Sequence, residues 1–290
     1  MSRVIFKKIY KVKNLLKKCA CLWYTIMKKG NFNMRILFIG DIIGRPGREY
    51  LTNNLGRIKR ENKIDVCIAN GENASHGKGI TLNSAETLNM CGVDVITLGN
   101  HWTARDMTNV FDDFKDMVRP ANFPKSHPGE GSMVFDCGRS RVGVINVQGR
   151  VYMDPLDSPF EAADREIEKI KDECEIIIVD FHAEATSEKA AMAHYLDGRV
   201  SAVLGTHTHV QTADEKILKN GTAFISDVGM TGVYDSILGV RSDIIVDRFA
   251  YIKAKKFELA EGAVQFNGVV LDIDEKTGKA VSIERINIRP

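Results

Sequence analysis

The stretch "MRILFIGD", residues 34–41, decides the fold: an apolar run of strand length that ends on glycine and aspartate. "GREYLTNNLGRIKREN" (47–62) follows it, a longer amphipathic segment that reads as a helix. The same order returns in "DVCIANGEN" (65–73) before "LNSAETLNMCG" (82–92), and in "DVITLGNH" (94–101) before "TNVFDDFKDMV" (108–118). Strand then helix, three times over, predicts βα units in an α/β fold with a largely parallel sheet. Further apolar runs close on polar or glycine-rich residues: "GVINVQGR" (143–150), "CEIIIVDFHAE" (174–184), "VSAVLGTHTH" (200–209) and "GTAFISDVGM" (221–230). The final segment, 263–288, reads as an antiparallel hairpin around "DEKTGK" (274–279) that completes a sheet.

Composition narrows the function classes. The 290 residues are 44% hydrophobic and 27% charged, ordinary for a globular protein. The net charge of +2 conceals an asymmetry, because residues 1–33 hold nine Lys or Arg and no acid, which leaves 31 basic against 38 acidic groups elsewhere. An acidic body gives no support for a broad nucleic-acid surface. Within 1–33 the longest apolar stretch, "CACLWYTIM" (19–27), is too short for a transmembrane segment, and no small-residue cleavage site follows it. Three readings of this segment stay open: a basic helix on a membrane surface, a disordered extension, and a mis-assigned start. The fold is expected in 34–290 as a single domain. Cysteines 19, 21, 67, 91, 137 and 174 form no CxxC pair, and Cys67 and Cys174 sit beside apolar runs as buried reduced thiols, so a cytoplasmic protein is expected.

In open α/β sheets ligands bind at the carboxyl ends of the strands. There the chain places Asp41, Glu72, Asn73, Asn100, His101, His182, His207 and His209. Residues two apart on an extended chain face the same side, so His207 and His209 reach neighbouring metal ions if the chain stays extended after Gly205. Imidazoles mixed with carboxylates and amide oxygens suit Mn, Fe or Zn better than Ca or Mg. Two phosphate motifs fail: "GDIIGRPG" (40–47) lacks the glycine at 42 that a dinucleotide fold needs, and "GENASHGKGI" (71–80) has neither the spacing nor the ending of a P-loop.

These residues lie in blocks that resemble the calcineurin-like metallophosphoesterases, and within them the YmdB-type phosphodiesterases: "ILFIGDIIGRPGR" (36–48), "GENASHGKGI", "LGNH" (98–101), "RPANFP" (119–124), "DFHAEATSEK" (180–189), "GTHTHVQTAD" (205–214) and "SDVGMTG" (226–232). The resemblance implies an α/β/β/α sandwich of mixed sheets and a phosphodiesterase of 2′,3′-cyclic nucleotides such as 2′,3′-cAMP. It implies two divalent ions, Fe or Mn, one held by Asp41, Glu72, Asn73 and His209, the other by Glu72, Asn100, His182 and His207. His101 is implied as the general acid, and a homo-oligomer as the assembly. The superfamily's usual DxH and GDxxD blocks are reduced here to Asp41 and Glu72. Where the branch continues "GNHTWD" this chain has "GNHWTARD", which leaves Asp106 as a substitute for orienting His101. A general phosphomonoesterase and a metal-stabilised nucleotide-binding regulator remain alternatives. His76 is read either as a substrate contact or as a solvated loop residue, His127 as surface, and His194 as packed or solvated. Glu184 and Glu188 are read as ordering the loop after His182.

Overall fold

The computed structural model describes residues 33–253 and 255–290. In chain order its first half runs β1 (Asn33–Ile39), β2 (Asp41–Ile42), α1 (Gly44–Glu61), β3 (Val66–Asn70), α2 (Leu82–Met90), β4 (Val95–Thr97), a 3₁₀ turn (Trp102–Ala104), α3 (Thr108–Asp113), β5 (Met117–Val118), β6 (Ser132–Asp136) and β7 (Arg141–Gln148). The second half runs α4 (Pro159–Ile170), β8 (Ile176–His182), α5 (Thr186–Tyr195), β9 (Ala202–Thr206), β10 (Lys216–Ile217), β11 (Ala223–Ile225), β12 (Met230–Val233), α6 (Ser242–Tyr251), β13 (Val264–Asp274) and β14 (Ala280–Ile288). The reading of 1–33 as a basic extension lies outside the described residues except for Asn33, which opens β1.

Two sheets form, ordered β2-β12-β13-β1-β3-β4-β5, with β14 beside β13, and β10-β11-β9-β8-β7-β6. The period-2 alternation of β1 shows how they stack. Met34, Ile36 and Phe38 face a core shared with Val142, Val144, Ile176, Ile178 and Leu204 of the other sheet. Leu37 and Ile39 face the opposite way, onto Leu51, Leu55 and Ile58 of α1 and Leu88 of α2. On the far side of the second sheet Val179, Phe181 and Val203 pack against Ile167 and Ile170 of α4 and Met192 of α5. Helix, sheet, sheet, helix is the expected layering.

The helices begin where their caps allow. Ser158 accepts from the Glu161 N–H with Pro159 at the first position of α4, and Thr81 accepts from the Ser84 N–H ahead of α2. Lys59 and Arg60 fall in the last turn of α1, where cations complement the helix dipole.

The sheets are mixed, as the resemblance implies: parallel pairs join β1–β3–β4–β5 and β2–β12 in one sheet and β7–β8–β9–β11 in the other. Two local expectations are corrected. Residues 108–118 are not one helix: α3 stops at Asp113, and Met117 and Val118 pair with Ile96 and Thr97, because burial beside β4 outweighs helical spacing. The run 221–230 is not one strand either. β11 pairs with β9 in one sheet, whereas β12 pairs with β2 and β13 in the other, so the chain crosses between sheets at Asp227 and Val228. The hairpin around 274–279 forms as expected, joining β13 to β14. Among the described residues no helix is long and apolar enough to cross a membrane.

Candidate active site

The sandwich brings the carboxyl ends of parallel strands from both sheets to one place. β1 leads through Gly40 to Asp41, β3 to Glu72 and Asn73, and β4 through Gly99 to Asn100 and His101, while β8 ends on His182 and β9 stops just before His207. Close approach requires the glycines: a Cβ on Gly99 would lie 2.3 Å from Glu72 Oε2 and 2.4 Å from His182 Nε2, and one on Gly205 would lie 1.8 Å from the Ser226 carbonyl oxygen.

Four ligand-type atoms crowd one spot. His182 Nε2 lies 2.9 Å from Asn100 Oδ1, 3.1 Å from His207 Nδ1 and 3.3 Å from Glu72 Oε2. One ring nitrogen can place one proton among three acceptors, so this arrangement suits a cation better than a hydrogen bond. Glu72, His182 and His207 accordingly offer ligand atoms within 4.8 Å of one another. A second cluster adjoins it: His209 Nε2 is 3.6 Å from Asp41 Oδ1 and 3.3 Å from Asn73 Nδ2, which also donates to Glu72 Oε1 at 2.9 Å. Asp41 is fully buried, and its Oδ1 has no hydrogen-bond partner. A buried carboxylate oxygen without a donor is costly unless a cation takes that position.

The tautomer of His182 is set from behind. The Thr206 hydroxyl donates to Asp180 Oδ1 at 2.7 Å, so it can only accept from His182 Nδ1–H at 2.9 Å, which leaves Nε2 facing into the site. Asp180 also accepts from Thr97 Oγ1 at 2.5 Å and from Asn70 Nδ2 at 2.9 Å. Burial raises the Asp180 pKa to about 6 even with these donors. Sequence reading missed Asp180, Thr206, Asn70 and Thr97, although an aspartate inside the apolar run "IIIVDFH" is itself a signal.

His207 and His209 do not lie on an extended chain. β9 ends at Thr206, and the two histidines take left-handed backbones with φ of 102° and 63°. Thr208 between them is tied down: its N–H and hydroxyl donate to Asp227 Oδ2 at 3.0 and 2.8 Å, and the same oxygen accepts from Lys189 Nζ at 2.8 Å. The turn sends His207 to His182 and His209 to Asp41, with His209 Nδ1 donating to the Leu238 carbonyl at 3.2 Å. Lys189 and Asp227, both buried, are further residues that sequence reading passed over.

Charge is balanced inside the cluster. Burial works against the charge on Glu72, but His182 and His101 hold its carboxyl well below the usual range. Burial likewise disfavours the His182 cation, yet the Glu72 carboxylate prevails and raises its pKa to about 9. His207 is pushed down to about 3 by burial and by the positive charge of His182. Burial raises Asp41, but His209 and His182 more than offset it, so its pKa is lowered.

His101 stands beside this group. Its N–H donates to Glu72 Oε2 at 3.0 Å, and its Nδ1 lies 2.7 Å from Asn73 Oδ1. Asn73 is therefore what orients the ring. Asp106 does not: it is exposed and accepts from the Thr108 N–H ahead of α3, the position that its spacing to a helix start favours. Glu184 Oε2 lies 3.1 Å from His207 Nε2, whereas Glu188 accepts from the N–H groups of Arg150 and Val151 and so orders the loop after β7 rather than the one after His182. His76, His127 and His194 are exposed, His127 with its ring against Trp102 and Phe123.

The comparisons with known proteins agree with one another. The model of the YmdB-like protein family matches residues 37–286. A Bacillus subtilis (strain 168) protein named 2′,3′-cyclic-nucleotide 2′-phosphodiesterase is 50% identical over 256 residues, covering 88% of this chain and 97% of its own length. The crystal structure of a hypothetical protein from Thermus thermophilus superposes with a TM-score of 0.83 at 41% identity, covering 89% of this chain and 100% of that one. A Mycoplasma pneumoniae protein described as a novel phosphatase superposes with a TM-score of 0.83 at 37% identity, covering 89% and 94% of the two chains.

Proposed function

The chain belongs to the YmdB-like family, and on that premise we propose that it hydrolyses 2′,3′-cyclic nucleotides, 2′,3′-cAMP among them, by opening the ring at the P–O2′ bond. The observation that carries the reading is the crowding of Glu72, Asn100 and His207 around one nitrogen of His182, with the donorless Asp41 oxygen beside it. This donor set fits two divalent ions, iron or manganese. Asp41, Glu72, Asn73 and His209 are proposed to hold one, and Glu72, Asn100, His182 and His207 the other, with Glu72 shared. Bound there, the ions lower the pKa of water to about 7 and neutralise phosphate oxygens.

The protein's own residues supply orientation and a proton. A water that has given one proton to solvent forms the new bond to phosphorus through its oxygen as the P–O2′ bond breaks, and O2′ takes a proton from His101, which recovers one from solvent. With Nδ1–H donated to Asn73, the other nitrogen of His101 is the one free to meet that oxygen. Asp180, through Thr206, keeps the His182 lone pair in the site. A homo-oligomer belongs to this reading, supported by the exposed apolar side chains Val246, Phe249, Tyr251 and Ile252 at α6, and light scattering tests it. A reducing, cytoplasmic setting belongs to it too, supported by the free thiols of Cys67, Cys91, Cys137 and Cys174.

His101→Ala separates the roles. Turnover of 2′,3′-cAMP is expected to fall about 10²- to 10⁴-fold with metal content preserved, whereas Asp41→Ala loses metal and turnover together. Undiminished turnover in the His101 variant at equal metal content removes His101 from the mechanism.

A further inference from the structure

A cavity of about 310 Å³ opens directly onto the site: Asn73, His101 and His209 form one side of it. That volume lies at the lower end of the range for small-molecule sites, roughly 300–1,000 Å³. The facing wall is apolar, made by Ile43, Leu238, Val240, Phe257 and Leu259. Leu238 and Phe257 leave 44% and 53% of their surface exposed, so both are open to contact from a ligand in the cavity. A larger cavity of about 640 Å³, between α1 and residues 259–264, touches none of the site residues.

Two features tie this wall to the chemistry. Leu238 has a left-handed backbone, φ 55°, and its carbonyl accepts from His209 Nδ1, so one residue orients a proposed metal ligand and lines the cavity. The Arg248 guanidinium sits 5.1 Å from the centre of the Phe257 ring and steadies it.

We propose that this cavity is the nucleobase subsite, with Phe257 as its stacking face and Leu238 and Val240 as its apolar floor. The inference rests on the phosphodiesterase reading and deepens it. In a 2′,3′-cyclic nucleotide the base is carried by C1′, next to the carbon bearing O2′. If His101 protonates O2′, the base must lie on the His101 side of the phosphate, and this is the cavity that His101 lines. The one acid on the wall, Glu258, is engaged by Arg241 at 2.6 Å, and His76 and Lys78 are the other polar side chains along the cavity outside the site itself, so stacking on Phe257 is the main contact offered to a base.

The test uses ligands that cannot undergo the ring opening. Affinities of the manganese-loaded protein for adenosine 3′-phosphate and ribose 3-phosphate are compared by calorimetry in the wild type, Phe257→Ala and Phe257→Trp, alongside turnover of 2′,3′-cAMP. The wild type is expected to prefer the nucleotide. Phe257→Ala is expected to reduce that preference by at least about fivefold, since base stacking on an aromatic ring is worth ~1–3 kcal/mol, and Phe257→Trp to keep it. Equal affinity of the wild type for both ligands, or a preference unchanged in Phe257→Ala, overturns the subsite even if 2′,3′-cAMP is hydrolysed. A base preference that depends on Phe257 in a protein that fails to hydrolyse 2′,3′-cAMP upholds the subsite and refutes the phosphodiesterase reading instead.

Discussion

Lys189→Met removes the cation from a pair whose side chains are only 2% and 1% exposed, at 2.8 Å. A buried charge that loses its partner costs about 3–5 kcal/mol, because the remaining ion keeps its desolvation penalty. Here Asp227 still accepts from the Thr208 N–H, the Thr208 hydroxyl and the Gly229 N–H, so the lower end applies, about 3 kcal/mol. For a chain of this size each kcal/mol shifts the melting temperature by ~2–4 °C, giving a loss of about 6–12 °C in calorimetry. Lys189→Met/Asp227→Asn removes both charges while leaving an amide oxygen for Thr208, and it should melt above Lys189→Met alone. Thr208 lies between His207 and His209, so the single variant should also bind manganese more weakly. A shift below about 2 °C, or a double variant that loses the sum of the two single effects, refutes the idea of a coupled buried clamp.

Gly99→Ala places a methyl group against Glu72 and His182, so manganese binding and turnover should be lost while the far-ultraviolet dichroism stays native; retained binding shows that the strand end can shift. Asp180→Asn lets an amide donate to Thr206 and reverses the hydrogen-bond chain to His182. Manganese affinity should fall about 10- to 100-fold by calorimetry, and an unchanged affinity removes the relay. Burial raises the Asp214 pKa, but the hydroxyls of Ser226 and Thr212 outweigh it and hold the group below 3.8. A lowered folded-state pKa contributes stability above 3.8 that is lost as pH falls through the lowered value. In urea unfolding the gap between the wild type and Asp214→Asn should therefore narrow below about pH 4; a gap constant from pH 7 to pH 3 contradicts this.

The βα units, the terminal hairpin and the polar residues at the strand ends were legible because each is written in local order. Met34, Ile36 and Phe38 alternate with Leu37 and Ile39, and that alternation alone specifies a strand buried on both faces. What local order cannot carry is the partner across the sandwich. Nothing near Met117 announces that β4 will accept it as a neighbour, and nothing within 221–230 says that its two halves join different sheets. The site divides the same way. The "GTHTH" spacing points to two ligands, but their separation comes from left-handed turns held by Asp227, twenty residues beyond His207, and by Lys189 from another helix. Asp106 looked suited to orient His101 by its place in the sequence, yet Asn73, from a different strand end, does so.

The central claim is that the convergent strand ends hydrolyse a cyclic phosphodiester at its 2′ ester. Chromatographic identification of the product formed from 2′,3′-cAMP by the manganese-loaded protein tests it most directly. Adenosine 3′-phosphate, formed at a greatly reduced rate when His101→Ala replaces the wild type under the same conditions and absent with Asp41→Ala, is the predicted result. No product from protein that carries its metal, or adenosine 2′-phosphate in its place, would contradict the account.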